Sequence, residues 1–307
     1  MQTLWQNKSI TTEKIDLSAF GINDCSLYLR REDLLHPFVS GNKFRKLKYN
    51  IEAAQLQKHD TLLTFGGAFS NHIAAVAAAG KELGLKTIGI IRGEELKGKV
   101  DENPTLSFAQ NCGMQLHFAS RELYREKESL KFKDDLRKLF GDFYLLPEGG
   151  TNSLAIKGCE EILKKEDAVY DYICVPVGTG GTISGLINAS KHNQTVLGFS
   201  ALKGTFQTSE ISKHTSKMNF EIIDSYCFGG YGKIDIDLVR FINEFRLKTR
   251  IPLDPVYTGK MIYGILDLLK KGYFMENSCI LAVHTGGLQG VPGMNKLLLK
   301  KQLPLIE

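Results

Sequence analysis

Short runs of β-branched and aliphatic residues recur along the chain at Thr61–Phe65, Lys86–Arg92, Gln115–Phe118, Phe143–Leu146, Tyr172–Val177, Val196–Ser200 and Ser278–His284. Their length and apolar content predict buried strands. Between them the apolar positions move to helical spacing, as in Phe44, Leu47, Ile51 and Ala54, or Leu238, Phe241, Ile242 and Phe245. Strand and helix alternating in this way predict an α/β fold, with mostly parallel sheets and helices on both faces. No linker rich in Gly, Ser or Pro interrupts the pattern, so a second lobe would be woven into the first.

Four predicted strand ends run into glycine pairs: Gly66-Gly67, Gly149-Gly150, Gly180-Gly181 and Gly286-Gly287. Ligands of open α/β sheets bind beyond the carboxyl ends of the strands, so these turns mark one shared cleft. A chain of 307 residues with 43% hydrophobic content can fill one large core or two lobes. The net charge is only +5, and the lysine pairs at 164–165, 270–271 and 300–301 are scattered, as on solvated helix faces; no nucleic-acid partner is expected. Six cysteines (Cys25, Cys112, Cys159, Cys174, Cys227 and Cys279) form no C-x-x-C pair and no cluster of metal-ligand spacing, which points to free thiols in a reducing cytoplasm and to no metal. The opening Met1 to Leu17 lacks the basic-then-apolar order of a leader, and the longest apolar run, Ile73 to Ala79, is too short for a bilayer. A cytoplasmic protein with no membrane partner is expected.

Three segments carry candidate chemistry. Gly178-Thr179-Gly180-Gly181-Thr182 follows a strand and opens a helix, where backbone N–H groups, the helix dipole and two threonine hydroxyls form a phosphate cup. It fails as a dinucleotide fingerprint because Ile183 stands where the third glycine would be. In Gly66-Gly67-Ala68-Phe69-Ser70-Asn71-His72, Ser70 sits at a helix N-cap position, and the N–H groups beyond it could hold a carboxylate. Lys43 follows the turn Ser40-Gly41-Asn42 at the start of a helix, with Arg45, Lys46 and Lys48 nearby; positive neighbours and partial burial both lower a lysine pKa, as Schiff-base chemistry requires. Tyr257, in Asp254-Pro255-Val256-Tyr257-Thr258-Gly259-Lys260, and Thr285, in His284-Thr285-Gly286-Gly287, stand at further turns facing the same cleft. Taken singly, each segment also reads as an ordinary cap, glycine turn or packing residue.

Together and in order, S-G-N-K-x-R-K-L, S-N-H, P-x-G-G-T-N, G-T-G-G-T, G-G-Y-G, D-P-V-Y-T-G-K and H-T-G-G resemble the D-cysteine desulfhydrase and 1-aminocyclopropane-1-carboxylate (ACC) deaminase family of pyridoxal-phosphate enzymes, over about Tyr28 to Gly290. The resemblance implies a two-lobed, tryptophan-synthase-β-like (fold type II) architecture, with residues 1–44 plus 151–307 as the large lobe and 45–150 as the small one. It implies that Lys43 holds the cofactor and acts as base on the α-carbon, and that Asn42, Asn71, Gly178, Thr179, Gly180, Gly181 and Thr182 bind the cofactor. By the same token Ser70, Asn71 and His72 take the substrate carboxylate, and Tyr231 and Tyr257 flank a small amino-acid substrate in a homodimer. Ring-opening members carry Glu after the tyrosine of D-P-V-Y and Leu in H-L-G-G, whereas Thr258 and Thr285 stand here. A hydroxyl beside the pyridine nitrogen suits elimination of sulfide better than ring opening, so D-cysteine desulfhydration is expected first, ACC deamination second. A phosphate- or nucleotide-binding α/β protein without this cofactor is the competing class. Ala74, Ala75 and Val76 depart from the family's usual polar stretch, as does Cys159 from a frequent Tyr and Leu288 to Pro292 from the usual continuation.

Overall fold

A computed structural model describes residues 4–5 and 10–307; of the opening segment Met1 to Leu17, residues 1–3 and 6–9 lie outside the described residues. β1 (Thr12–Ile15) and β2 (Ser26–Arg30) come first, and α1 (Asn42–Leu56) follows. A first alternation runs through β3 (Thr61–Gly66), α2 (Asn71–Leu83), β4 (Lys86–Arg92), α3 (Pro104–Asn111), β5 (Gln115–Ala119), α4 (Arg121–Arg125), α5 (Leu130–Phe140) and β6 (Tyr144–Leu146). After α6 (Ser153–Glu160) a second one runs through β7 (Tyr172–Val177), α7 (Gly181–Ala189), β8 (Thr195–Ser200), α8 (Gln207–Ser212), β9 (Phe220–Ile223), α9 (Ile236–Thr249), α10 (Thr258–Lys270), β10 (Cys279–Val283) and α11 (Val291–Lys300).

Two sheets result, in the orders β1-β2-β10-β7-β8-β9 and β5-β4-β3-β6. Every pairing is parallel except β1 with β2. Parallel strands need cover on both faces, and the side chains show it. On β7, Cys174 enters the core containing Phe245, Met261 and Ile262, while Ile173, Val175 and Val177 enter the core containing Ile183 and Leu186. On β3, Leu62 and Leu63 divide in the same way. The smaller sheet and its helices come from residues 61–146.

Local signals explain the helices that matter most. Ser70 caps α2 through its Oγ, which accepts the Ile73 N–H, and Gly84 ends it in the left-handed region. Ala74, Ala75 and Val76 are buried, so this departure from the family pattern is filled by packing. Before α1, the segment Arg30–Asp33 is locked by buried ion pairs: Arg30 chelates Asp167 at 2.5 and 2.7 Å, and Arg45 chelates Glu32 at 2.9 and 3.1 Å. These pairs fix the strand end from which the Lys43 turn departs.

Candidate active site

Gly41 carries the Lys43 turn. Its φ is +60°, and a Cβ there would lie 2.0 Å from the carbonyl oxygen of Thr285, so only glycine lets this turn press against the end of β10. Asn42 then begins α1, and its side chain donates to Thr182 Oγ1 at 2.8 Å. One turn holds the strand end after β10 and the first turn of α7 together.

Two lysines follow on the same face of α1. Lys43 Nζ donates to the Gly149 carbonyl at 3.3 Å, and Lys46 Nζ donates to that same oxygen at 3.0 Å and to Thr151 Oγ1 at 3.1 Å. Lys46 is 2% exposed and doubly bonded, whereas Lys43 is half-buried with one long bond. Lys43 is therefore the amine that can reach a ligand. Burial first, then the Lys46 charge, hold its pKa well below the usual lysine range. Arg45 and Lys48 do not add to this effect as the sequence suggested, because they pair with Glu32 and Glu161.

The phosphate cup is built around α7. Its N-cap Gly180 offers no side-chain acceptor, which leaves the first N–H groups of the helix open. Around them stand Thr182, Thr179, whose hydroxyl shares a 2.7 Å hydrogen bond with Thr151, and the Lys46 ammonium, 3.1 Å from where a Gly181 Cβ would be. Gly178 lies under the Tyr257 ring, with only 3.2 Å for a Cβ. These donors, an ammonium, three hydroxyls and backbone amides, suit a phosphate dianion. Beneath them the buried Cys159 thiol is pushed up to about 11 by burial.

On the smaller sheet, Asn71 lies against the turn after β10, its Nδ2 2.7 Å from a Gly287 Cβ position. His72 is 2% exposed, neither ring nitrogen makes a hydrogen bond, and its ring packs on Gly150. Burial, then Lys43 and Lys46, keep it neutral by holding its pKa well below the ordinary histidine value, against the pull of the nearby Pro147 carbonyl. Across the cleft, Tyr231 and Tyr257 meet edge-on with centroids 6.1 Å apart, and Tyr231 stands at the rim, 48% exposed. Burial raises both phenol pKa values, that of Tyr257 far above its ordinary value, so both rings keep their protons.

The two threonines are placed differently. Thr258 is fully buried; its hydroxyl donates to Asp254 Oδ1 at 2.7 Å and accepts the Asp254 N–H at 2.9 Å. Its proton is thus committed to Asp254. Thr285, two residues past β10, lies on the Lys43 turn, whose Asn42 N–H its carbonyl accepts at 3.3 Å. Next to it, His284 Nδ1 accepts the Gly286 N–H, and Nε2 bonds the Pro252 carbonyl at 2.8 Å, which makes His284 a brace.

The structure thus gathers Lys43, Asn42, Ser70, Asn71, His72, Gly178 to Thr182, Tyr231, Tyr257 and Thr285 around the four glycine turns, with Thr258 set behind them. Four residues not named as site candidates from the sequence join the site: Lys46, Thr151, Asp254 and Lys260. Lys46 had a signal in its i, i+3 spacing from Lys43. Thr151 and Lys260 stood inside quoted motifs, but only the fold shows what they touch. Pyridoxal phosphate fits this cleft: the cup suits its phosphate, Lys43 is a reachable amine with a lowered pKa, and His72 has orphaned buried nitrogens.

Known proteins agree. The chain matches the family described as pyridoxal-phosphate dependent enzyme over residues 9–286. A putative 1-aminocyclopropane-1-carboxylate deaminase of Pyrococcus horikoshii is 31% identical, with 86% of this chain and 85% of that protein covered. The bifunctional D-cysteine desulfhydrase/1-aminocyclopropane-1-carboxylate deaminase of Arabidopsis thaliana is 30% identical over 88% and 74%. The crystal structure of an ACC deaminase homologue superposes with a TM-score of 0.82 at 28% identity, covering 96% of this chain and 94% of that one. The chain belongs to the pyridoxal-phosphate dependent enzymes of fold type II, in the family of the ACC deaminases and D-cysteine desulfhydrases.

Proposed function

We propose that the chain is a D-cysteine desulfhydrase, converting D-cysteine and water to pyruvate, ammonia and hydrogen sulfide. The observation that carries this reading is the state of Asp254 and Thr258. No carboxylate follows Tyr257, and the nearby Asp254 carboxylate is saturated by three N–H groups and the Thr258 hydroxyl. Thr285, and not a carboxylate, would then be the residue near the cofactor's ring nitrogen, offering a neutral hydroxyl.

When bound, pyridoxal phosphate supplies the electron sink at the substrate's α-carbon. The chain supplies the rest. Lys46, Thr151, Thr179, Thr182 and the start of α7 hold the phosphate, with Asn42 orienting Thr182. Ser70 and the first turn of α2 take the substrate carboxylate beside the neutral His72. Lys43, whose ammonium burial and the Lys46 charge make easier to deprotonate, takes the α-proton. The C–S bond then breaks; the proton that Lys43 took passes to the departing sulfur, and Tyr257, kept as a neutral phenol by its raised pKa, can hydrogen-bond the sulfur without ionising. The same reading carries a small lobe of residues 45–150 closing over the substrate, and a cytoplasmic homodimer.

ACC deamination is the second reading, favoured by the names of the relatives. Purified holoenzyme given D-cysteine, L-cysteine, D-serine and ACC, with keto acid and sulfide both measured, separates the two. Sulfide and pyruvate from D-cysteine in equal amounts are expected; turnover of ACC alone would overturn the proposal.

A further inference from the structure

A second buried lysine lies on the far side of the tyrosine pair. Lys260 is 1% exposed, and its Nζ donates to the carbonyls of Cys227 and Gly230, both at 2.8 Å. Among the described residues no carboxylate bonds it, and Asp254 and Asp235 act on it only at a distance. A lysine buried against two neutral oxygens is costly, since burial lowers its pKa to about 8. Such a residue needs a reason in what it holds.

What it holds is the turn that presents Tyr231. Phe228, Gly229, Gly230 and Gly232 have φ of +52°, +83°, +116° and +65°. The three glycines take positive φ freely, while Phe228 persists there only because its surroundings hold it. Gly230 O belongs to the peptide plane leading directly into Tyr231, and Cys227 O also accepts the Gly230 N–H at 3.0 Å. Lys260 itself stands in the first turn of α10, three residues after Tyr257, and Phe228 adds an edge-on contact with Tyr263 of the same helix at 5.0 Å.

We propose that Lys260 is a positioning residue for the reaction: its ammonium gathers the Cys227 and Gly230 carbonyls onto α10 and so sets Tyr231 against Tyr257. The inference rests on Tyr231 flanking the substrate, as proposed above. Lys260 touches neither substrate nor cofactor and acts through the turn alone.

The test uses holoenzyme of wild type, Lys260→Met, Lys260→Gln, Tyr231→Ala and the Lys260→Met/Tyr231→Ala double variant. It reads kcat and KM on D-cysteine, coenzyme absorbance, and amide hydrogen exchange over residues 227–233. Lys260→Met should lower kcat/KM by about tenfold or more, with the coenzyme absorbance retained. The double variant should fall no further than about threefold below Tyr231→Ala, because both changes remove one function. The Gly230 and Lys233 amides should lose protection while those of α7 keep it. Losses that multiply in the double variant, or a Lys260→Met enzyme with wild-type rates and wild-type protection of the turn, would overturn the inference. If the Met variant does not fold, Lys260→Gln, which keeps one donor, takes its place in the same comparison. If wild type turns over none of the amino acids, the desulfhydrase reading fails by itself and the exchange of the 227–233 turn still decides the role of Lys260.

Discussion

Replacing Asp254 with Ala tests how the site is held from behind. Its Oδ2 accepts the Val256 and Tyr257 N–H groups at 2.9 Å each, and its Oδ1 accepts the Thr258 N–H and hydroxyl at 2.7 Å each. Val256 and Tyr257 are half-buried, so water can replace the lost acceptor there. Thr258 is fully buried, and its two donors would be stranded. At roughly 1–3 kcal/mol for each stranded donor, the loss is about 4 kcal/mol. For a chain of this length that corresponds to a fall in Tm of roughly 6 °C, measurable by calorimetry on the holoenzyme. Asp254→Asn keeps an oxygen for Thr258 and faces its amide toward the two N–H groups that water can reach, so it should cost less than Ala. The kcat of both variants should fall with the displacement of Tyr257. An Ala variant within about 1 kcal/mol of wild type, or an Asn variant less stable than the Ala variant, would refute this account of the turn.

Other consequences follow from the same geometry. Lys46→Met removes a charged donor from the phosphate cup and should weaken pyridoxal-phosphate binding by about tenfold to a hundredfold in a fluorescence titration; unchanged affinity would remove Lys46 from the cup. Gly41→Ala forces a Cβ onto the Thr285 carbonyl and should abolish the coenzyme's visible absorbance while far-UV circular dichroism still reports a folded chain. Lys260 has its folded-state pKa depressed to about 8, so between about pH 8 and 10 the unfolded chain binds more protons at this position and stability contributed here rises with pH. The urea midpoint of wild type should accordingly gain on that of Lys260→Met over this range, and parallel midpoints would contradict the burial of its charge.

Seven of the ten strands were legible, most of them because they are apolar runs buried within a sheet. β1 and β9 were not: as edge strands of the larger sheet they bury little, and Thr12–Ile15 and Phe220–Ile223 carry no long apolar run. β2 was hidden by Arg30, whose charge reads as exposed until Asp167, 137 residues away, is brought against it. The same physics divides the site. The glycine pairs were legible because close approach of backbones demands them, and Lys43 because a turn and a helix start flank it. Lys46 was legible only as a positive neighbour of Lys43, and Lys260 only as the last residue of D-P-V-Y-T-G-K, since their acceptors, Gly149 and the Cys227–Gly230 turn, come from distant parts of the chain. Thr258 was legible as a residue type, but the capture of its hydroxyl by Asp254 depends on the geometry of the turn entering α10.

The central claim is that Lys43, and not its buried neighbour Lys46, holds the cofactor in the cleft. Reducing the holoenzyme with borohydride and mapping the pyridoxyl label by peptide mass spectrometry tests it directly. The account predicts the label on Lys43, with Lys46 unmodified; a label on Lys46, or on a lysine outside the cleft, would contradict it.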